Sequence, residues 1–181
     1  MTYADLEIVD EHDQPVTHRA TYEEVVRKGL WHRGVHVIIY TPDHEILMQK
    51  RAPSLLVYPG RVEISVGGGV GRGETPKAAA LREVREEFGL TIPAKELRFI
   101  GKLRINHHAQ GQYDRCFTYS YAVCLPKSKL NVQLNPNETS TTFFMTEKQL
   151  RQALRIHRIR HIGRITPLYD YWRYLLTALH E

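Results

Sequence analysis

The stretch from Gly68 to Leu90 reads GGVGRGETPKAAALREVREEFGL, and it decides how this chain folds. Thr75 is a good N-cap, Pro76 suits the first helical position, and Gly89 suits the residue that closes a helix. The segment therefore predicts a helix over Lys77 to Phe88, built mostly of good helix formers. At about 100° per residue, Leu81, Val84 and Phe88 share one apolar stripe. Glu83, Glu86 and Glu87 share a neighbouring stripe, because residues three and four apart meet on a helix surface. Three carboxylates crowded on one face repel one another. A cation between them removes that cost. Oxygen ligands suit Mg²⁺, with Mn²⁺ as an option. An isolated acidic run reads as a solvated face with ion pairs from Arg82 or Arg85. The glycines before the helix and the second acid at Glu74 favour the metal site.

Elements follow on both sides. Leu6 to Asp10 and Pro15 to Arg19 flank a polar His12-Asp13-Gln14 turn and predict a small N-terminal hairpin extension. Thr21 with Glu24 forms a capping box for a helix to Lys28. Val35 to Tyr40 is a near-continuous apolar run that predicts a buried strand, and Pro42-Asp43 turns the chain into a second strand, Glu45 to Arg51. Leu55 to Gly60 is loop and Val62 to Val66 strand. After the central helix come strands near Leu97 to Ile105, Phe117 to Leu125 and Thr141 to Phe144. Thr146 starts a helix to about Leu154, and Pro167 to Leu179 predicts a C-terminal helix. One α+β domain spanning residues 1–181 accounts for this order, with no repeat or linker to divide it.

The spacing of the quoted stretch is Gly68, five residues, Glu74, seven residues, then Arg-Glu-Val-Arg-Glu-Glu-Phe-Gly-Leu from Arg82. It resembles the Nudix box, with every constrained position filled. At ordinary residue frequencies such a match arises by chance at about one start in a billion. The resemblance implies a Nudix-type α/β/α sandwich with a mixed central sheet, and a Mg²⁺-dependent hydrolase of a diphosphate linkage. The expected substrate is a nucleoside diphosphate or a nucleoside diphosphate linked to another group. The resemblance makes Glu86 and Glu87 the principal metal ligands. Glu83 binds the metal directly or through water and assists the nucleophile, and the Gly67 carbonyl adds a backbone ligand. Arg82 braces the carboxylates by charge-assisted hydrogen bonds, and Glu74 orients the loop–helix junction. Many members of the family draw a further glutamate from a loop after the central strands. Glu138 is the candidate ligand or base here, and Asp114 a weaker one.

Glu7 to Glu11, Lys28 to Val37, Gln49-Lys50-Arg51 and Tyr58-Pro59-Gly60 resemble one branch of that family, the proteins related to type I isopentenyl diphosphate isomerase. The isomerase carries a catalytic cysteine just before the box. Here Gly67 occupies that position, and Gly69 stands where a metal-binding histidine is expected. Glycine has no side chain to move a proton, so the resemblance favours hydrolysis over isomerisation.

Gly67, Gly68 and Gly69 allow close approach of backbone to phosphate. Arg51, Lys50 and Arg61 are candidate phosphate grips, and Tyr58, Trp31 and Tyr113 candidate stacking partners for a base. His107-His108 lacks zinc-ligand spacing with Cys116 and reads as exposed loop.

The chain has 181 residues, 42% hydrophobic and 25% charged, with a net charge of +5. That is ordinary globular composition, and no apolar run approaches the roughly 18 residues of a membrane span. The expected partner is a small-molecule diphosphate and not a membrane. The basic stretch Arg151 to Arg164 makes nucleic acid, including RNA 5′-end processing, the less favoured alternative; its own reading is a solvated helical face and a following loop. Cys116 and Cys124 fall eight residues apart on one strand, about 26 Å at strand rise and too far to bridge, which fits a reducing cytoplasm. The acidic N-terminus lacks the apolar run of a signal peptide. Oligomeric state is open, with a homodimer one option.

Overall fold

A computed structural model describes residues 5–109 and 111–180. The first four residues of the acidic N-terminus therefore lie outside the described residues. In chain order the elements are α1 (Tyr22–Lys28), β1 (His32–Tyr40), β2 (Glu45–Arg51), β3 (Val62–Glu63), β4 (Val66–Gly69), α2 (Pro76–Phe88), β5 (Arg98–Ala109), β6 (Gln112–Cys124), β7 (Thr139–Thr146), α3 (Glu147–Ile156), β8 (Arg158–Ile159), β9 (Gly163–Arg164) and α4 (Tyr169–Ala178).

Seven strands form one mixed sheet. Its path runs β3-β2-β1-β6-β5, with β4 also paired to β1 and β7 to β2. β1 and β6 run parallel, from His32↔Cys116 to Tyr40↔Cys124, and the other strand pairs among the described residues are antiparallel. The sheet is covered on both faces, as an α/β/α sandwich requires. Val35, Val37 and Ile39 of β1 alternate onto the face under α2, where Val84 and Phe88 are fully buried. Ile38, Ile46 and Met48 point to the opposite face, against α3 and α4 with Leu150, Trp172, Leu175 and Leu176. This two-sided burial is why β1 reads as a continuous apolar run. Truncating Phe88 to Ala is expected to cost about 3–5 kcal/mol. Among the described residues no helix is long and apolar enough to cross a membrane.

The helix caps form as their residues predict. Thr21 and Glu24 complete a capping box, Thr75 accepts from the Ala78 amide, and Gly89 closes α2 at φ 66°. The small N-terminal hairpin forms: Val9 bridges Pro15, the Asp10 amide donates to the Gln14 carbonyl at 2.9 Å and the Val16 amide to the Ile8 carbonyl at 3.0 Å, while Leu6 and Ile8 also bridge to Gly71 and His32. Three expectations are corrected. The strand expected over Val62 to Val66 is split in two. At the break, Ser65 Oγ accepts from the Ile39 amide at 2.8 Å and donates to the Leu47 carbonyl, so a side chain links β1 to β2 there. His107 and His108 lie within β5 rather than in a loop. The segment after α3 is a β-hairpin, β8–β9, rather than a loop.

Candidate active site

The site begins where β4 meets α2. At two of the three glycines of β4 a side chain has no room. A Cβ on Gly68 would lie 2.1 Å from Glu83 Cδ, and one on Gly67 2.8 Å from His36 Cδ2. The glycines thus let the strand approach the protein's own buried side chains. Arg82 gathers the acids around it. Its guanidinium donates to both oxygens of Glu74 at 3.0 Å, to the Gly69 carbonyl at 2.8 Å, to Glu83 Oε1 at 2.7 Å and to Glu86 Oε2 at 3.1 Å. Glu74 also accepts from the Gly71 amide at 2.9 Å, which ties the loop to the helix start.

Glu83 and Glu87 point into the protein from α2 and are buried. Glu87 Oε1 accepts from the Gly67 amide at 3.2 Å and Oε2 from Gln49 Nε2 at 2.9 Å. Glu83 Oε2 is buried with no hydrogen-bond partner. Glu138 joins them from the turn before β7. β2 and β7 pair in register to Lys50↔Thr141, then slip by one residue to Arg51↔Thr139. The Ala52 amide donates to the Glu138 carbonyl at 2.8 Å beyond that bulge. Bulges re-aim side chains in this way next to active sites. Glu138 is 8% exposed and accepts from Asn135 Nδ2 at 2.7 Å. One carboxylate oxygen each from Glu83, Glu87 and Glu138 lie within 4.8 Å of one another.

That crowding raises proton affinity. Burial pushes the Glu83 carboxyl up to about 8 against the opposing charge of Arg82, with Glu86 and Glu138 adding to the rise. Burial, then Glu83, Glu63 and Glu138, drive Glu87 well above the ordinary range. Burial raises Glu138 as well. Three buried carboxylates without enough compensating charge, one with an orphaned oxygen, form a donor set that fits Mg²⁺ or Mn²⁺.

Glu86 stands apart: its side chain is 39% exposed, bonded to Arg82, and outside this trio. The other expected residues divide. A cleft of about 440 Å³ is lined by Gln49, Arg51, Gly67, Glu87 and Glu138. A smaller space of about 120 Å³ adjoins it, lined by Gly67, Gly68, Gly69, Tyr58, Asp114 and Cys116; Arg51 borders both. Arg51 is held by Glu63 and by the Val57 carbonyl at 3.1 Å. Lys50 donates to the Ile162 carbonyl at 2.9 Å, on the β8–β9 hairpin, and neither it nor Arg61 lines these two spaces. The expected stacking residues each have partners of their own. The Tyr58 hydroxyl sits between His107 Nδ1 at 2.9 Å and Asp114 Oδ2 at 3.0 Å. Trp31 lies under Arg104 and against Phe117, and Tyr113 stacks on His108.

Sequence reasoning missed Gln49, Thr139, Glu63 and His36. The available signal for Gln49 was an amide breaking the apolar run of a buried strand. Burial pushes His36 down to about 3, with Arg51 adding to the effect, so it is neutral and bonded to the Tyr171 hydroxyl.

Residues 30–164 match the family model described as the NUDIX domain. The chain belongs to the Nudix family. The matched segment, residues 30–164, is a Nudix domain. An uncharacterized Nudix hydrolase of Streptomyces coelicolor is 39% identical over 95 residues, 52% of this chain and 52% of that protein, so the match spans about half of that relative. An uncharacterized Nudix hydrolase of Listeria innocua is 30% identical over 132 residues, covering 73% of each. A prenyl-diphosphate phosphatase of Methanosarcina mazei is 36% identical over 87 residues, 48% of this chain and 49% of that protein. A solved structure from Deinococcus radiodurans has the same Nudix fold, with a TM-score of 0.74 at 22% identity over 93% of this chain and 97% of that one.

Proposed function

We propose that this Nudix protein is a Mg²⁺-dependent hydrolase of the diphosphate linkage in a small molecule, with a nucleoside diphosphate or nucleoside diphosphate-linked compound as the leading substrate class. One observation carries the reading. Carboxylates from α2 and from the turn before β7 meet within 4.8 Å, and one buried oxygen among them has no partner. Glu83, Glu87 and Glu138 would hold the metal, which when bound would supply charge neutralisation at the phosphate oxygens.

The remaining chemistry belongs to the chain. Glu138 lines the cleft and takes the proton from the attacking water as the water oxygen bonds to phosphorus and the bridging P–O bond breaks. Arg82 holds Glu83 in place, and the Gly67 amide holds Glu87. Arg51, held by Glu63, presents positive charge to the substrate's phosphates. The cleft volume suits a nucleotide-sized ligand.

A second reading, a prenyl diphosphate substrate, is favoured by similarity to the phosphatase of Methanosarcina mazei and by the small space beside Arg51, which would take a short apolar group. The branch related to isopentenyl diphosphate isomerase belongs to this second reading. The deciding experiment is a phosphate-release screen over nucleoside di- and triphosphates, nucleotide sugars and prenyl diphosphates, with Mg²⁺ and with Mn²⁺. Metal-dependent hydrolysis of one class is expected; no hydrolysis of any diphosphate would contradict the proposal.

A further inference from the structure

We infer that Gln49 is a positioning residue that sets the Glu87 carboxylate for the metal, and that Thr139 in turn sets Gln49. The inference rests on the proposed metal site. Gln49 is 1% exposed and follows Ile46, Leu47 and Met48 on β2; Thr139 is 1% exposed at the start of β7. A buried amide must place two donors and an acceptor among fixed partners. Gln49 Nε2 donates to Glu87 Oε2 at 2.9 Å, and Gln49 Oε1 accepts from the Thr139 hydroxyl.

The order of this chain follows from its chemistry. With a cation bound Glu87 is ionised and only accepts, so the amide must turn nitrogen toward it and oxygen away. The Thr139 hydroxyl has one proton; Glu87 Oε2 lies at the longer distance of 3.5 Å, and giving the proton to the nearer Gln49 Oε1 fixes that orientation. The Gly67 amide meets the other oxygen of Glu87 at 3.2 Å. Both carboxylate oxygens are therefore held by protein donors, and each keeps a lone pair for a cation. Partners of this kind typically carry about 10- to 100-fold in metal affinity.

The test compares full-length wild type with Thr139→Val, Thr139→Ser and Gln49→Met. Mn²⁺ is titrated into each, with free ion followed by electron paramagnetic resonance, and the thermal midpoint of the metal-free protein is measured separately. Val removes the hydroxyl at nearly constant volume; Ser restores it. The expected result is Mn²⁺ binding about tenfold weaker or more in Thr139→Val and Gln49→Met, and near wild type in Thr139→Ser. Thr139→Val within twofold of wild type, or Thr139→Ser as weak as Thr139→Val, would overturn the positioning role. Should one of the two disruptive variants fail to fold, the other decides by the same criterion. A wild-type protein that binds no Mn²⁺ overturns the metal site itself, a result distinct from wild-type binding that is indifferent to Thr139.

Discussion

The backbone of Gly68 and the carboxylate of Glu83 are fitted so closely that a single added carbon collides: a Cβ at residue 68 would stand 2.1 Å from Glu83 Cδ and 2.2 Å from its Oε1. Neither side can yield cheaply. Residue 68 is held in the sheet by its pairing with Val35, and Glu83 is fully buried and bonded to Arg82. Gly68→Ala should therefore displace Glu83. The expected cost is about 1–3 kcal/mol by denaturant unfolding, the usual range for overpacking, together with loss of divalent-metal binding. Unchanged Mn²⁺ affinity in Gly68→Ala would show that the carboxylate has another place to go.

A pH dependence follows from the same carboxylate. The Glu83 carboxyl is raised from its ordinary 4.5 to about 8. Below the unfolded value both folded and unfolded chains hold the proton, so the favourable contribution is fully present. As pH rises through the folded value the buried group must ionise, and that contribution is lost. In EDTA the thermal midpoint should fall between about pH 4.5 and 8. Mg²⁺ should reduce that fall, and Glu83→Gln should flatten the metal-free curve. A metal-free midpoint that rises across this window would contradict the burial argument.

Isomerisation is expected to be absent. Gly67 has no side chain to carry a proton, and a Cβ there would meet His36 at 2.8 Å. Cys116 is buried and its thiol is driven upward, first by burial and then by Asp114, so it is a poor thiolate. Purified protein should leave isopentenyl diphosphate unconverted to dimethylallyl diphosphate. Conversion at an enzymatic rate, lost on mutating Cys116, would refute this.

The basic segment should not make the protein RNA-directed. Arg155, Arg158, Arg160 and Arg164 are exposed, and Arg158 stands directly opposite Arg164 across the β8–β9 hairpin. Leu154 and Ile159 are buried beneath them, so the segment is anchored to the domain. The segment itself contains no Phe, Tyr or Trp to stack on bases, and the His157 ring is already stacked on Tyr169. Filter binding should show weak RNA affinity that falls with salt, and changing the four arginines to serine should leave turnover of a small diphosphate intact. Submicromolar RNA binding at physiological salt, lost in that variant, would reverse this expectation.

What could be read from the sequence was local. Thr75, Pro76 and Gly89 delimit α2 through interactions within a few residues, and the stripe of Glu83 and Glu87 follows from helical periodicity. The partners of those acids were less legible because strand pairing supplies them. Gln49 reaches Glu87 across 38 positions, and Thr139 reaches Gln49 across 90. Glu138 was singled out only by family resemblance, and the bulge that aims it at Glu83 leaves no local mark. Helical spacing and the family resemblance both group Glu86 with Glu83 and Glu87, but which of the three acids turns inward depends on where the sheet lies. The sequence also leaves unread that the hydroxyl of Tyr58, a stacking candidate by residue type, closes onto His107 and Asp114 of a hairpin far along the chain.

The most direct measurement is a Mn²⁺ titration of wild type beside Glu87→Gln and Glu86→Gln, paired with phosphate release in the presence and absence of EDTA. Glu87 is buried in the carboxylate trio, and Glu86 is half-exposed and bonded to Arg82. The expected result is hydrolysis abolished by EDTA, metal affinity and turnover reduced by about 100-fold or more in Glu87→Gln, and a smaller loss in Glu86→Gln. Full activity in EDTA, or Glu87→Gln binding Mn²⁺ as wild type does, would contradict a catalytic metal at this site.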